Sequence, residues 1–299
     1  MGTSWSAKIV GGDPQAARAI AGRVLGQVIA DMSHWEPGSA LSRLNRAPIG
    51  SWQRLPPALA TVLASAWRVA EASDGAFDPT IGALVDLWGF GPSGPRTSPP
   101  PAEAIEVAHA AAGLGAFELD PLLLRARRLR DARLDLSSIA KGYAVDALAD
   151  ALEAAGHRDL LVEIGGEFVG RGLRPDGQPW WVEVEPLPES SLQPLRIAAH
   201  DVAIATSGDY RRSFTAGSRR YAHTLDPRTG RPIVHGTASV TVLAADCMHA
   251  DAWATVLTVL PPEEARSWAT EHSLAARIIV RTERDLEEWL SPALQAMLG

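Results

Sequence analysis

The hydrophobic pattern changes period partway along the chain, and that change limits the fold more than any other feature. Before about residue 113, apolar residues recur at three- and four-residue steps. Ala17, Ile20, Ala21, Val24, Leu25, Val28 and Ile29 follow an Asp13-Pro14 start, a second stretch runs from Pro57 to about Ser73, and a third from Pro101 to Gly113. Helical spacing with proline at entry and glycine at exit predicts three amphipathic helices. From Phe117 onward the pattern shifts to strand-length runs at 117–120, 123–129, 160–164, 180–185, 196–205, 239–244 and 277–281, with further helices predicted at about 138–155, 247–260, 262–272 and 284–297. Pro92, Pro95, Pro99, Pro100 and Pro101 make the stretch after Trp88 a loop, because proline lacks the donor a ladder needs. Strands clustered with flanking helices, without a βαβ period or an internal repeat, predict a layered α+β architecture. The chain is read as a single domain over 1–299 with a Pro/Gly-rich excursion at about 89–101.

Composition narrows the partners. Twenty-eight Lys plus Arg against 35 Asp plus Glu leave a formal charge of -7, so nothing draws the protein to nucleic acid or to an anionic bilayer. The single Cys247 excludes an internal disulfide and a multi-cysteine metal centre. The longest apolar stretch, around Ala252 to Leu260, is far shorter than the roughly 20 residues of a membrane span, so no stable membrane insertion is expected. With no apolar leader before Thr3, the expected location is the cytoplasm, or the periplasm or a membrane anchor if a leader has been removed.

Two motifs are decoys. Gly89-Phe90-Gly91-Pro92-Ser93-Gly94 matches G-x-G-x-x-G, but the prolines that follow prevent the helix whose N-terminus would receive a pyrophosphate. Cys247, His249 and Asp251 alternate like ligands, yet two-residue steps on a helix splay by about 200°. P-loop, nucleophile-elbow and zincin signatures do not occur in the sequence.

Three segments carry chemistry. Leu134 to Ala144 reads as a strand entering a helix, with Asp135, Ser137 and Ser138 at the junction and Lys141 in the first turn. Such a junction suits an anion, and it equally suits a serine N-cap with a solvated lysine. Asp251 and Thr255 lie one helical turn apart and offer hard oxygens for magnesium, or a local hydrogen bond on a helix face. His223 precedes the turn Asp226-Pro227-Arg228-Thr229-Gly230, where imidazole serves proton transfer or a structural bond.

In order along the chain, eight segments resemble the ApbE-type FAD:protein FMN transferases. They are Met1-Gly2-Thr3, Met32 to Asn45, Gly75 to Thr80 with Leu87 to Gly91, Leu134 to Gly142, Glu163-Ile164-Gly165-Gly166-Glu167, Ala205 to Tyr210, His223 to Pro232 and Ala250 to Thr255. The resemblance spans Met1 to about Leu260. It implies an ApbE-like, T-fold-related α+β domain with mixed or antiparallel sheets, FAD as donor and Mg2+ beside its diphosphate. It places Met1, Trp35, Ala76, Phe77, Asp78, Asp135, Lys141 and His223 against FAD. Asp251 and Thr255 become side-chain metal ligands and Ser138 a carbonyl ligand, with His223 and Lys141 as catalytic groups. The implied reaction moves FMN onto a threonine or serine hydroxyl of an acceptor flavoprotein and releases AMP. An FAD pyrophosphatase and a non-catalytic flavin-binding protein are the alternatives. Glu167 departs from the common aspartate or asparagine and Trp35 from the common tyrosine.

Overall fold

A computed structural model describes residues 2–184, 187, 190, 192–209, 212–283 and 285–298. The chain divides into two compact units, each assembled from separated stretches. Of the described residues, one unit comprises those of 27–138 and 209–234; the other comprises those of 2–26, 139–208 and 235–298.

The second unit is built on a seven-stranded sheet. Its strands, in spatial order, are Trp5–Ile9, Leu160–Ile164, Glu167–Arg171, Val202–Gly208, Thr237–Ala244, Ala275–Arg281 and Leu286–Leu290. Every pairing is antiparallel. The spatial order is also the chain order, so each strand finds its partner in the nearest preceding strand of the sheet. Thr237–Ala244 has buried residues through nearly its whole length, as expected of a central strand covered on both faces. Helices Ala140–Ala154 and Cys247–Val259 pack on this sheet and on each other. Leu161, Trp180, Val182, Ile197, Ile204, Leu243 and Leu294 form a core cluster within the unit.

The first unit contains helices Ala40–Arg46, Pro57–Ala72, Gly82–Leu87 and Ala102–Ala111 and a three-stranded sheet ordered 53–54, 125–128, 117–120. Leu84, Trp88, Phe90, Ile105 and Leu225 make its apolar cluster, against which Phe214 and Tyr221 pack. The Trp88 indole N–H is satisfied by the Gly230 carbonyl at 2.9 Å, which lets a large ring sit 2% exposed.

The three early helices form near their predicted places, at Pro14–Met32, Pro57–Ala72 and Ala102–Ala111. The α+β class holds as well. Three local expectations are corrected. The helix expected at 284–297 is a strand, Leu286–Leu290, followed by helix Pro292–Leu298. Leu286, Trp289 and Leu290 satisfy a sheet edge against Ala275–Arg281, and proline starts the helix only afterwards. The strand expected at 196–205 breaks at His200-Asp201, where Asp201 takes φ 53, giving Arg196–Ala199 and Val202–Gly208. No strand forms at Leu134–Leu136. Instead the Asn45 side-chain amide accepts from the Leu134 N–H at 2.7 Å and donates to its carbonyl at 2.8 Å, taking the place a neighbouring strand would fill.

Candidate active site

In the second unit, helices Ala140–Ala154 and Cys247–Val259 cap one another. The first has Ile139 at its N-cap and no side-chain cap of its own, so neither Ser137 nor Ser138 serves there. Asp251 of the second helix supplies the missing acceptor, its Oδ2 taking the Gly142 N–H at 3.1 Å. Asp146 of the first helix accepts from the Cys247 and Met248 N–H groups, both at 2.9 Å. Gly142 permits this closeness, since a Cβ there would collide with the Cys247 carbonyl and the Met248 Cα.

Asp251 is 2% exposed, and its Oδ1 lies 2.8 Å from the Lys141 ammonium. The same ammonium lies 3.1 Å from Glu167 Oε1. Glu167 is placed by a two-residue hairpin: Gly165 and Gly166, at φ 68 and 97, link Leu160–Ile164 to Glu167–Arg171 in a turn with Ile164 paired to Glu167. That conformation excludes most side chains. Burial works against a charged lysine, but Asp251 and Glu167 more than reverse it and hold the Lys141 pKa above the usual value. Lys141 therefore stays cationic at physiological pH. It can stabilise negative charge, and it is no proton acceptor.

Thr255 presents its hydroxyl to the Asp251 carbonyl at 3.2 Å and lies 3.4 Å from Ser207 Oγ. The D-x-x-x-T spacing thus makes a local bond and also keeps the two side chains on one helical turn. Two buried carboxylates against one ammonium leave an excess negative charge with side chains only 3% exposed. This donor set fits a hard cation, because each carboxylate oxygen can accept from more than one partner. Among the described residues no group of three or more His, Cys, Asp and Glu is arranged to hold a metal. A cation here would rely on hydroxyl, carbonyl, phosphate and water oxygens beside Asp251.

In the first unit, Asp135 Oδ1 accepts from both the N–H and the hydroxyl of Ser137, at 2.8 and 2.6 Å, and lies 3.5 Å from His34 Nδ1. Trp35 is 47% exposed, with the Arg212 guanidinium 5.7 Å from its ring centre. A broad, accessible indole suits stacking on a planar ligand. Ala76 and Phe77 are buried in the exit of helix Pro57–Ala72, where Ser73 Oγ accepts the Phe77 N–H at 3.2 Å. Asp78 Oδ1 accepts the Thr80 N–H at 2.7 Å. Burial raises the Asp78 pKa, and the bonds with Thr80 only partly offset it. Ser138, at the end of the 27–138 stretch of this unit, is half-buried. Met1 lies outside the described residues.

His223 follows directly after strand Arg219–Ala222, not on it. Its Nδ1 is 3.1 Å from the Arg212 carbonyl. A carbonyl only accepts, so this bond requires the proton on Nδ1, and in the neutral ring Nε2 is then the accepting nitrogen, the form a general base needs. Phe90 meets the ring edge-on at 6.2 Å.

Sequence reasoning missed Glu167 as a partner of Lys141, although a Gly-Gly pair between apolar runs is itself a hairpin signal. It also missed Asp146, whose capping of a helix about a hundred residues away has no local signature.

Comparison with known proteins identifies the family. The ApbE family profile matches residues 1–278. The FAD:protein FMN transferase of Klebsiella pneumoniae is 35% identical over all of this chain and 87% of its own length. That of Vibrio cholerae is 36% identical over all of this chain and 91% of its own. The solved structure of the flavinyl transferase ApbE of Pseudomonas stutzeri in its apo form superimposes with a TM-score of 0.93 at 35% identity, covering 100% of this chain and 94% of that one.

Proposed function

The chain belongs to the ApbE family, and on that premise we propose that it transfers FMN from FAD to a threonine or serine hydroxyl of an acceptor flavoprotein, acting as a single ApbE-like domain over 1–299. The acceptor oxygen attacks the flavin-side phosphorus. The bond from that phosphorus to the bridging oxygen breaks, and AMP leaves with that oxygen. The hydroxyl proton passes to His223 Nε2, leaving FMN joined through a phosphoester.

One observation carries the reading furthest: in the segment Leu134 to Gly142, which resembles the family's, the Lys141 ammonium lies 2.8 Å from Asp251 and 3.1 Å from Glu167, two buried carboxylates that hold it cationic. Lys141 contributes charge to a diphosphate whose negative charge grows on the leaving AMP. Trp35, Asp135 and the 76–78 loop hold FAD. Asp251, Thr255 and the Ser138 carbonyl hold Mg2+, which supplies Lewis-acid neutralisation of the phosphate oxygens. No helix among the described residues is long and apolar enough to cross a membrane.

The test is incubation with FAD, MgCl2 and a candidate acceptor, followed by intact mass of the acceptor and an assay for AMP. A flavin adduct with AMP in equal amount is expected. Free FMN with an unmodified acceptor would make the protein an FAD pyrophosphatase, and unconsumed FAD would make it a flavin-binding protein.

A further inference from the structure

We infer that Glu167 is a positioning residue that takes over the Lys141 ammonium when Asp251 engages a cation. The inference rests on the proposed function only in taking Asp251 as a magnesium ligand. Asp251 Oδ2 is engaged by the Gly142 amide, and Oδ1 faces Lys141 at 2.8 Å. A divalent cation arriving at Oδ1 meets a positive charge already at hydrogen-bond distance, and like charges repel strongly away from bulk water.

The ammonium must lean aside. Glu167 Oε1, 3.1 Å from the same nitrogen, is already in contact, so a small rotation of the flexible lysine stem keeps the charge paired throughout. Glu167 itself is fixed, 2% exposed and seated at the first position of its strand by the Gly165-Gly166 turn. Without the Glu167 charge, the lysine would have Asp251 as its remaining carboxylate partner in this trio and would compete with the metal for it. With the charge, lysine and metal each have a carboxylate.

The experiment is titration of MgCl2 alone, without FAD or acceptor, into the parent and into Glu167→Gln, Glu167→Asp, Asp251→Asn and the Lys141→Met/Glu167→Gln double variant. Calorimetry and the magnesium-induced shift in melting temperature provide the readouts. Glu167→Gln should bind magnesium about tenfold more weakly, the usual scale for residues that support a metal ligand. The double variant should recover parent-like affinity, because the competing ammonium is gone. Glu167→Asp, which keeps the charge with less reach, should fall between parent and Glu167→Gln.

Parent-like affinity in Glu167→Gln would overturn the inference. So would a double variant as weak as Glu167→Gln, or a Glu167→Asp variant weaker than it. Parent-like affinity in Asp251→Asn would remove the metal ligand itself and the inference with it. Failure of FMN transfer alongside the expected magnesium pattern would overturn only the proposed function.

Discussion

Asp146 and Asp251 each cap the helix that carries the other: Asp146 receives the Cys247 and Met248 amides, while Asp251 receives the Gly142 amide. The exchange ties helix Ala140–Ala154 to helix Cys247–Val259 at their N-termini and fixes Lys141 beside Asp251. The two caps differ in electrostatic setting. Asp251 faces a lysine, whereas Asp146 is influenced by Asp246 and Asp150, and burial together with those charges lifts its pKa to about 6 against its two amide bonds.

Asp146 therefore makes stability depend on pH. Its folded pKa lies above the unfolded value of 3.8, so the folded state binds the proton more tightly. The resulting stabilisation is complete below about pH 4 and is lost as pH rises through about 6. A shift of this size corresponds to at most about 3 kcal/mol. Asp146→Asn should gain stability relative to the parent between pH 4 and 7. Urea unfolding at several pH values checks this, and parallel stability profiles for variant and parent would refute it.

Gly142→Ala should destabilise the protein by roughly 1–3 kcal/mol, the usual cost of overpacking a rigid contact. The added methyl meets Cys247 and Met248 backbone, which cannot rotate aside as a side chain would. Unfolding by denaturant measures the loss. An unchanged midpoint would mean that the two helices separate at little cost.

Much of the architecture could be read from the sequence, because the early helices carry apolar residues at helical spacing and central strands such as Thr237–Ala244 and Ala275–Arg281 are short, largely apolar runs buried along almost their whole length. Strands Phe117–Asp120 and Leu160–Ile164 form at their expected bounds. Glu167–Arg171 was overlooked because its outer residues are charged and Gly170 interrupts it; its glycine lets Ala199 of another strand approach where a Cβ would clash. Trp5–Ile9 alternates apolar Trp5, Ala7 and Ile9 with polar Ser6 and Lys8, but it is only five residues long and has no fully buried position, which makes it a weak signal at the start of the chain. In the site, Asp251 and Thr255 were visible through helical spacing. Lys141 and Glu167 become partners only through tertiary folding, and the residue pattern holds no trace of their distance.

FAD should bind far more tightly than NAD. Trp35 offers an exposed indole for a planar ring, while the G-x-G-x-x-G at 89–94 lies in an irregular segment with no helix before Ala102 and so lacks the helix terminus that holds a dinucleotide pyrophosphate. Calorimetry with each dinucleotide decides, and equal affinities would contradict the flavin assignment.

His223→Ala should lower turnover by about 100- to 10,000-fold, the range for general acid–base catalysis, with FAD affinity little changed. The Arg212 carbonyl sets the imidazole tautomer through Nδ1, so the lost group acts on a proton and not on the bulk of the dinucleotide. Turnover and FAD binding are measured separately, at saturating FAD and acceptor. Normal turnover would return His223 to a structural role.

Asp251→Ala should abolish magnesium-dependent AMP release, and Thr255→Ala should weaken it less. Asp251 brings a full negative charge to the proposed ligand set of Asp251, Thr255 and the Ser138 carbonyl, and a cation loses far more with that charge than with a hydroxyl that water can replace. The substitution also frees the Gly142 amide and leaves Lys141 to Glu167, so a fold defect must be separated from a ligand defect. Asp251→Asn serves that purpose, since its amide oxygen can still accept from Gly142. It should fold with near-parent cooperativity and still lose magnesium dependence. AMP release is followed across a magnesium titration with acceptor present. A parent-like titration in Asp251→Asn or Asp251→Ala would exclude the metal from this position, and a Thr255→Ala defect equal to that of Asp251→Ala would show that charge does not dominate the site.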